Sequence, residues 1–242
     1  MKTRYLMGLD DSDSARSPST GDLARRLAEV LETERTVEPK GVTRHQLLVK
    51  KQIPFTAHNS AMCIVFDTED GEGVWETARD FLAFESERGS NPGLCLCQWE
   101  AVSPDVMAWG QRAKQEVLKA EEAQQLAARS HVRSEAIKGT GNGMIGALAA
   151  IGLHRGGNDG RFVWLRGIFD LQGVCSVAQI FEKTAVDRVC TVDEVVLPIG
   201  EMVDVGAWTR PLLRDGQATL YVEQKKHGWA VLTKEHIKEL SS

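Results

Sequence analysis

An acidic and hydroxyl-rich segment directly follows the first hydrophobic run of the chain. The run Tyr5–Leu9 leads into Asp10, Asp11, Ser12, Asp13 and Ser14. Carboxylates this close together repel each other unless a cation or bound protons neutralise them. Carboxylate oxygens are also the ligands with which proteins hold Mg²⁺ against substrate phosphates. The segment therefore predicts a magnesium site formed by Asp10, Asp11 and Asp13.

The same segment has a second interpretation. Asp and Ser side chains often stabilise a solvated turn by hydrogen bonding to the backbone. The spacing does not fit a calcium loop, which needs a Gly at its sixth position and a distal Glu. Both the metal site and the simple turn stay open on the sequence alone.

The elements around the acidic segment favour the metal site. Arg4–Leu9 predicts a strand, and a helix follows with an apolar stripe that includes Leu23, Leu27 and Leu31. Ser19 or Thr20 is the predicted N-cap of that helix. A loop between the carboxyl end of a strand and a helix N-terminus is a favoured place for phosphates. We expect Thr20 to cap the helix, to contact phosphate, or to do both.

The remaining pattern predicts an α/β (α+β) fold with a mixed sheet and flanking helices. Predicted strands cover 41–49, 61–66, 94–99 and 162–165. Predicted helices cover 74–85, 144–153 and 177–183, and one or two more cover 105–128. After Asp193 the pattern becomes β-rich, with strands at 195–199, 202–205, 218–223 and 229–232 before a last helix at 234–240. We expect a first domain at 1–157 and a smaller C-terminal region at 158–242.

A glycine-rich string precedes the predicted helix at 144–153. Gly141–Gly146 superficially matches G-x-G-x-x-G, but the residues before it, 133–138, do not form the apolar strand of a dinucleotide fingerprint. Backbone N–H groups at Gly141 and Gly143 are candidate nucleotide contacts. The alternative is that the small residues only allow close packing.

Three further positions are candidates of lower specificity. Asn59 is a candidate contact for the nucleotide cofactor or for the substrate, and His58 is a candidate proton carrier that is more often a simple hydrogen-bonding residue. Cys95 and Cys97 have no second ligand pair at zinc-finger spacing, so we expect them to share one face of a strand in the core.

The composition of the chain limits the classes of protein to which it can belong. The chain has 242 residues and a net charge of −5, which argues weakly against a protein that coats nucleic acid. It has no visible signal peptide and no apolar run long enough for a bilayer, and its five cysteines are uneven in spacing. We expect reduced thiols, a cytoplasmic location and no membrane partner, and we leave a homo-oligomer open.

Four strings together resemble one family. The opening segment Gly8–Ser14 is similar to the G-I-D-D-T-D-S of the archaeal agmatidine synthetases, which modify the wobble cytidine of an isoleucine tRNA. The other similar strings occur in the same order as in that family: Ile53-Pro54-Phe55 with Asn59, Asn91-Pro92-Gly93, and Gly143–Gly152.

The resemblance implies a kinase-like domain that uses ATP and Mg²⁺, over about residues 4–155. In that family the paired aspartates hold metal at the triphosphate, which implies the same role for Asp10 and Asp11. Ser12 and Asp13 would belong to the same site, and Thr20 matches the threonine that is autophosphorylated. Ser12 stands where the family usually has Thr.

The resemblance does not extend to the tRNA-binding modules. The sequence shows no counterpart of the OB-fold and zinc ribbon with which the archaeal enzymes hold tRNA, and after about residue 160 it matches only loosely. We therefore predict an ATP- and Mg²⁺-dependent phosphotransferase or ligase-like enzyme whose acceptor, a small molecule or an RNA, stays open. The alternative is a non-catalytic nucleotide- or RNA-binding module that serves as a partner subunit.

Overall fold

The computed structural model describes residues 1–12, 19–35, 37–53, 59–226 and 228–241. Within these residues the first part of the chain has five strands and five helices. In order they are β1 (Thr3–Asp10), α1 (Thr20–Arg35), β2 (Glu38–Gln46), β3 (Ser60–Thr68), α2 (Gly71–Glu85), β4 (Gly93–Gln98), α3 (Pro104–Ala113), α4 (Ala120–Arg129), β5 (Arg133–Ala136) and α5 (Gly143–Gly156).

The second part is richer in short strands. Its described elements are β6 (Arg161–Leu165), β7 (Val174–Ser176), α6 (Val177–Lys183), β8 (Arg188–Cys190), β9 (Met202–Asp204), β10 (Leu212–Arg214), β11 (Gln217–Lys225), β12 (Gly228–Val231) and α7 (Lys234–Leu240). No helix in the described part of the chain is long and apolar enough to cross a membrane.

The strands of the described residues form one sheet. The mixed sheet predicted from the sequence is confirmed, and it continues through the C-terminal region. Its order is β5-β4-β1-β3-β2-β6-β10-β11-β12-β9-β7, and β8 pairs with β11. The pairs among β1 to β6 are antiparallel, whereas β8 with β11 and β9 with β12 are parallel. Because β4 and β5 are antiparallel, the glycine-rich string after β5 does not open a Rossmann βαβ unit.

Helices cover both faces of the first half of the sheet. Alternate residues of β1 point to opposite faces, so Leu6 packs with α3, α4 and α5 while Met7 and Leu9 pack with α1 and α2. The central strand β3 is buried on both faces, which explains its almost continuous apolar sequence. Cys95 and Cys97 lie in the core on the α5 side, as predicted, and all five cysteines are buried and unpaired.

Helix α5 lies unusually close to the sheet because small residues form the contact. A Cβ atom at Gly8 of β1 would overlap the backbone of Ala147, and one at Gly93 of β4 would overlap Gly143. On the other side, a Cβ at Gly152 would overlap the backbone of Val106 in α3. The small-residue composition of 143–152 is therefore required for packing between the sheet and α3.

Several short strands differ from the sequence prediction. The polar segment before the glycine-rich string is an edge strand, β5, although its sequence lacks the apolar character of a buried strand. The strands β7, β8 and β10 were also not predicted, since three-residue strands carry too little periodicity. The predicted strand at 195–199 is wrong, because only Val196 forms a bridge, to Cys190.

Strand β6 joins the two halves of the sheet. It pairs with β2 on one side and with β10 on the other. The core of the second part is a separate cluster that includes Val177, Ile180 and Leu220. The division at 157/158 stays a prediction, with β6 as the strand common to both parts of the sheet.

Candidate functional site

A cavity of about 630 Å³ opens at one end of the sheet. The carboxyl ends of β1 and β2 and the amino ends of β3 and β6 meet there. Its charged wall residues are four carboxylates and six cations: Asp10, Asp11, Asp22, Glu116, Arg25, Arg44, Arg161, Arg210, Lys234 and Lys238. The acidic segment predicted from the sequence therefore contributes to a large, mixed-charge cavity.

Asp10 is the last residue of β1 and lies against the first turns of α5. A Cβ atom at Gly146 would overlap the Asp10 carboxylate, so the absence of a side chain there makes room for it. The positive end of the α5 dipole favours a carboxylate at this position. Both Asp10 and Gly146 line the cavity.

Asp11 follows in a conformation that few residues adopt. Its φ of 54° lies in the left-handed region, where Asp and Asn occur more often than other non-glycine residues. Asn91 holds it on two sides, because the Asn91 side-chain amide donates to Asp11 Oδ2 at 3.1 Å and the Asn91 N–H donates to the Asp11 carbonyl, also at 3.1 Å. Strained backbone fixed in this way is common at functional sites.

Asn91 also connects the acidic segment to the glycine-rich string. Its Oδ1 accepts hydrogen bonds from the N–H and the hydroxyl of Thr140, at 2.9 and 3.1 Å. Its carbonyl accepts from the N–H of Gly143 at 3.2 Å. One asparagine therefore fixes the relative positions of two segments that are distant in sequence.

Thr20 is the first residue of α1 and lines the cavity beside the two aspartates. The N-cap is Ser19, whose hydroxyl accepts from the N–H of Asp22 at 3.2 Å. The fully buried Ser12 donates its hydroxyl to Thr20 Oγ1 at 3.2 Å. The structure thus brings Asp10, Asp11 and Thr20 to one wall, with Ser12 behind Thr20.

Asn59 lines the cavity and also closes the β2–β3 connection. Its amide nitrogen donates to the Leu48 carbonyl at 2.7 Å, and its own carbonyl accepts from Gln46 Nε2 at 2.6 Å. Part of its role is therefore structural.

The two predicted glycine contacts lie elsewhere. Among the described residues, Gly141 and Gly143 are outside the set that lines the cavity, and both are buried. The N–H of Gly143 is already bonded to Asn91, and its Cα lies too close to Gly93 for a side chain. Their contact with a nucleotide stays a prediction, while Asn142, between them, does line the cavity.

Two predicted residues, Asp13 and His58, fall outside the described residues. No group of three metal-binding side chains occurs within the ranges that the structure describes. Mg²⁺ bound together with substrate phosphates needs only one or two protein carboxylates. Asp10 and Asp11 on one wall fit that requirement.

Two arginines of the cavity wall face each other across β2 and β6. Arg44 and Arg161 are direct partners in the antiparallel register. Like charges in this position destabilise a sheet. Burial, and then the positive charges of Arg44 and Arg210, lowers the pKa of Arg161 to about 10, and burial also lowers the pKa of Arg44. Within the described residues neither guanidinium forms a salt bridge.

The second part of the chain adds a third arginine to this wall. The Arg210 guanidinium lies 4.9 Å from the ring centre of Phe169 and 5.4 Å from that of Trp208. Burial, followed by the charge of Arg25, lowers the pKa of Arg210. Lys234 of α7 lies over Trp208, and Arg161 donates to Ser241 Oγ at 3.1 Å.

Most of this basic wall could not be predicted from the sequence. Arg25 and Arg44 carried a weak signal, since basic residues recur in the first fifty positions. Arg161, Trp208, Arg210 and the lysines of α7 carried none, because they are far apart in sequence and belong to no motif. Their convergence follows from the pairing of β6 with β2 and β10.

A buried polar network lies behind this wall, on the other face of β2. Thr43 Oγ1 is 2.8 Å from His45 Nε2 and 2.8 Å from His154 Nδ1. His45 Nδ1 is 2.8 Å from Asp159 Oδ1, and Lys114 pairs with the other oxygen of Asp159. Burial opposes ionisation of Asp159, but His45 and Lys114 outweigh it and hold its pKa below the ordinary value.

The fold and the site define a mixed α/β protein with helices on both faces of its sheet and a cavity of carboxylates and arginines at one end. No protein-family model matches the chain. Two curated relatives do: the isoleucine-tRNA 2-agmatinylcytidine synthetases TiaS of Cenarchaeum symbiosum (strain A) and of Methanosarcina acetivorans. Each is 31% identical over 157 residues, which cover 64% and 61% of this chain.

Solved structures give the same relationship. The crystal structure of TiaS in complex with its isoleucine tRNA and ATP matches 62% of this chain with a TM-score of 0.53 and 25% identity, over 36% of that chain. Apo TiaS matches 62% of this chain with a TM-score of 0.52 and 26% identity, over 35% of that chain. The chain is therefore related in sequence and fold to one part of the agmatidine synthetases. The match spans only 34% and 35% of the curated relatives.

Proposed function

We propose that the chain is an ATP- and Mg²⁺-dependent phosphotransferase or ligase-like enzyme. The observation that carries this proposal is that Asp10, Asp11 and Thr20 share one wall of the cavity. The relationship to TiaS supports it, since a crystallised TiaS complex contains ATP and an isoleucine tRNA.

In this proposal Asp10 and Asp11, with Asp13, hold Mg²⁺ at the phosphates of ATP. The metal would neutralise phosphate charge when bound. Asn91 keeps the Asp11 carboxylate in place through its 3.1 Å hydrogen bond, so the site is formed before the nucleotide arrives. Thr20 at the start of α1 contacts phosphate or accepts it, with Ser12 orienting its hydroxyl.

The test is Mg²⁺-dependent ATP turnover by the full chain and by Asp11→Asn. Asparagine tolerates the left-handed backbone and keeps the shape, so the variant should fold normally. We expect turnover to fall by about a hundredfold. The matched control is Asp80→Asn, an exposed residue of α2 that pairs with Arg79.

Each outcome of this experiment decides between hypotheses. Full turnover by Asp11→Asn would overturn the proposal. Binding of a non-hydrolysable ATP analogue without any turnover by the unmodified chain would favour a non-catalytic nucleotide-binding module instead. No stabilisation by Mg²⁺ and the analogue in a melting experiment would reject both, because a ligand of the native state must raise its stability.

A further inference from the structure

The basic wall of the cavity has more positive charge than its own protein partners neutralise. Three half-buried arginines, Arg44, Arg161 and Arg210, line it, and none forms a salt bridge within the described residues. The hydrogen bonds that they donate there go to neutral groups: hydroxyls, an amide oxygen and a backbone carbonyl. Charged groups that are partly withdrawn from solvent ordinarily have a partner of opposite charge.

The positions of these arginines indicate which kind of anion would bind them. Arg44 and Arg161 are direct cross-strand neighbours, so the native fold holds two like charges together. Arg210 is held by the rings of Phe169 and Trp208, which limits its freedom before any ligand arrives. Planar guanidinium groups bind phosphate oxygens with two parallel hydrogen bonds.

We propose that Arg44, Arg161 and Arg210 form a subsite for a phosphomonoester group carried by the acceptor substrate. Three guanidinium groups match a dianion better than a singly charged carboxylate. The arginines come from β2, β6 and the residue before Pro211 and β10, whereas Asp10 and Asp11 lie at the end of β1, and we assign to the arginines a phosphate separate from those of ATP. The assignment of its ligand to the acceptor substrate rests on the proposed function. The existence of an anion subsite does not depend on that function.

The first experiment measures binding of inorganic phosphate to the full chain by calorimetry, without nucleotide or Mg²⁺ and at constant ionic strength. We expect Arg161→Gln to weaken phosphate binding by about tenfold or more. Because this change removes one of two facing charges, the variant should melt no lower than the unmodified chain in the absence of phosphate. The control is Arg129→Gln, an exposed arginine at the end of α4.

The second experiment separates this subsite from the nucleotide site. Asp11→Asn should bind phosphate as the unmodified chain does, while Arg161→Gln should bind Mg²⁺ and a non-hydrolysable ATP analogue normally. If Arg161→Gln weakens the analogue as much as phosphate, the arginines belong to the nucleotide site and the proposal is overturned. Unchanged phosphate binding by Arg161→Gln would also overturn it.

A third comparison identifies the source of the anion. Ribose 5-phosphate should compete with inorganic phosphate for the subsite, and ribose should not. Competition by the ester supports an acceptor that carries a phosphomonoester. Binding of inorganic phosphate without competition from the ester would overturn that assignment. If Asp11→Asn retains ATP turnover, the proposed function fails, whatever the result for phosphate binding. Failure of the subsite and failure of the proposed function are therefore distinguishable.

Discussion

The side chain and the backbone N–H of Asn91 both donate to Asp11, each at 3.1 Å. This double contact holds Asp11, which lines the cavity, at a φ of 54°. The two residues are eighty positions apart, so the conformation of Asp11 depends on the residues before β4.

Substitution of Asn91 should therefore disable the acidic wall without removing a carboxylate. Asn91→Asp replaces the donor by a negative charge beside Asp11, and like charges at hydrogen-bond distance repel strongly. We expect ATP turnover to fall by about tenfold or more, since one charge-assisted hydrogen bond is lost and a repulsion is added. Steady-state ATPase assays with varied Mg²⁺ check this, and normal turnover in Asn91→Asp would contradict it.

Gly146 should be required for the position of the Asp10 carboxylate. Gly146→Ala places a methyl group where that carboxylate lies, so we expect the affinity for Mg²⁺ and an ATP analogue to fall by about tenfold. Gly156→Ala in the same helix is the matched control, because a Cβ there meets nothing within 4 Å. Calorimetric titration of both variants with Mg²⁺ and the ATP analogue tests this prediction. Equal affinities of the two variants would contradict this role of Gly146.

Thr20 offers a test of covalent chemistry at the helix start. Thr20→Val keeps the shape of the side chain and removes the hydroxyl that accepts from Ser12. If Thr20 accepts phosphate from ATP, intact-protein mass spectrometry after incubation with Mg²⁺ and ATP should show a phosphorylated form of the unmodified chain. Thr20→Val should show none, whereas Ser19→Ala, which removes only the N-cap hydroxyl, should still show it. Equal phosphorylation of Thr20→Val would exclude Thr20 as the acceptor.

Buried His154 should make the stability of the fold depend on pH. Burial, followed by the charge of His45, lowers the pKa of His154 from 6.5 to about 3. As the pH falls, the unfolded chain binds a proton at His154 before the folded chain does. The contribution of neutral His154 to the free energy of unfolding is therefore fully present above pH 6.5 and is lost as the pH falls towards 3. Because of His154, the free energy of unfolding should fall by about 2 kcal/mol when the pH is lowered from about 7 to about 5.

Urea unfolding at the two pH values measures this effect. His154→Gln should lose stability at neutral pH, because Thr43 loses a buried partner, but its stability should depend less on pH. His236→Gln, at an exposed position of α7, should keep the full dependence of the unmodified chain. An unchanged pH dependence in His154→Gln would contradict this assignment.

Local sequence was sufficient for the elements that carry strong periodicity. The strand before the acidic segment, the helix after it and the buried β3 were all predicted, because alternation and helical spacing depend on near neighbours. The polar edge strand β5 and the three-residue strands were not, since edge pairing and short bridges are decided by the partner strand.

The acidic half of the site was likewise visible in the sequence, and the basic half was not. Asp10, Asp11 and Thr20 belong to the end of β1 and the start of α1, which are consecutive elements in the sequence, and four short strings pointed to the related synthetases. Arg44, Arg161 and Arg210 meet only through antiparallel pairing of β2 with β6 and of β6 with β10. Register between distant strands is set by burial and side-chain packing across the whole sheet, which no local pattern encodes.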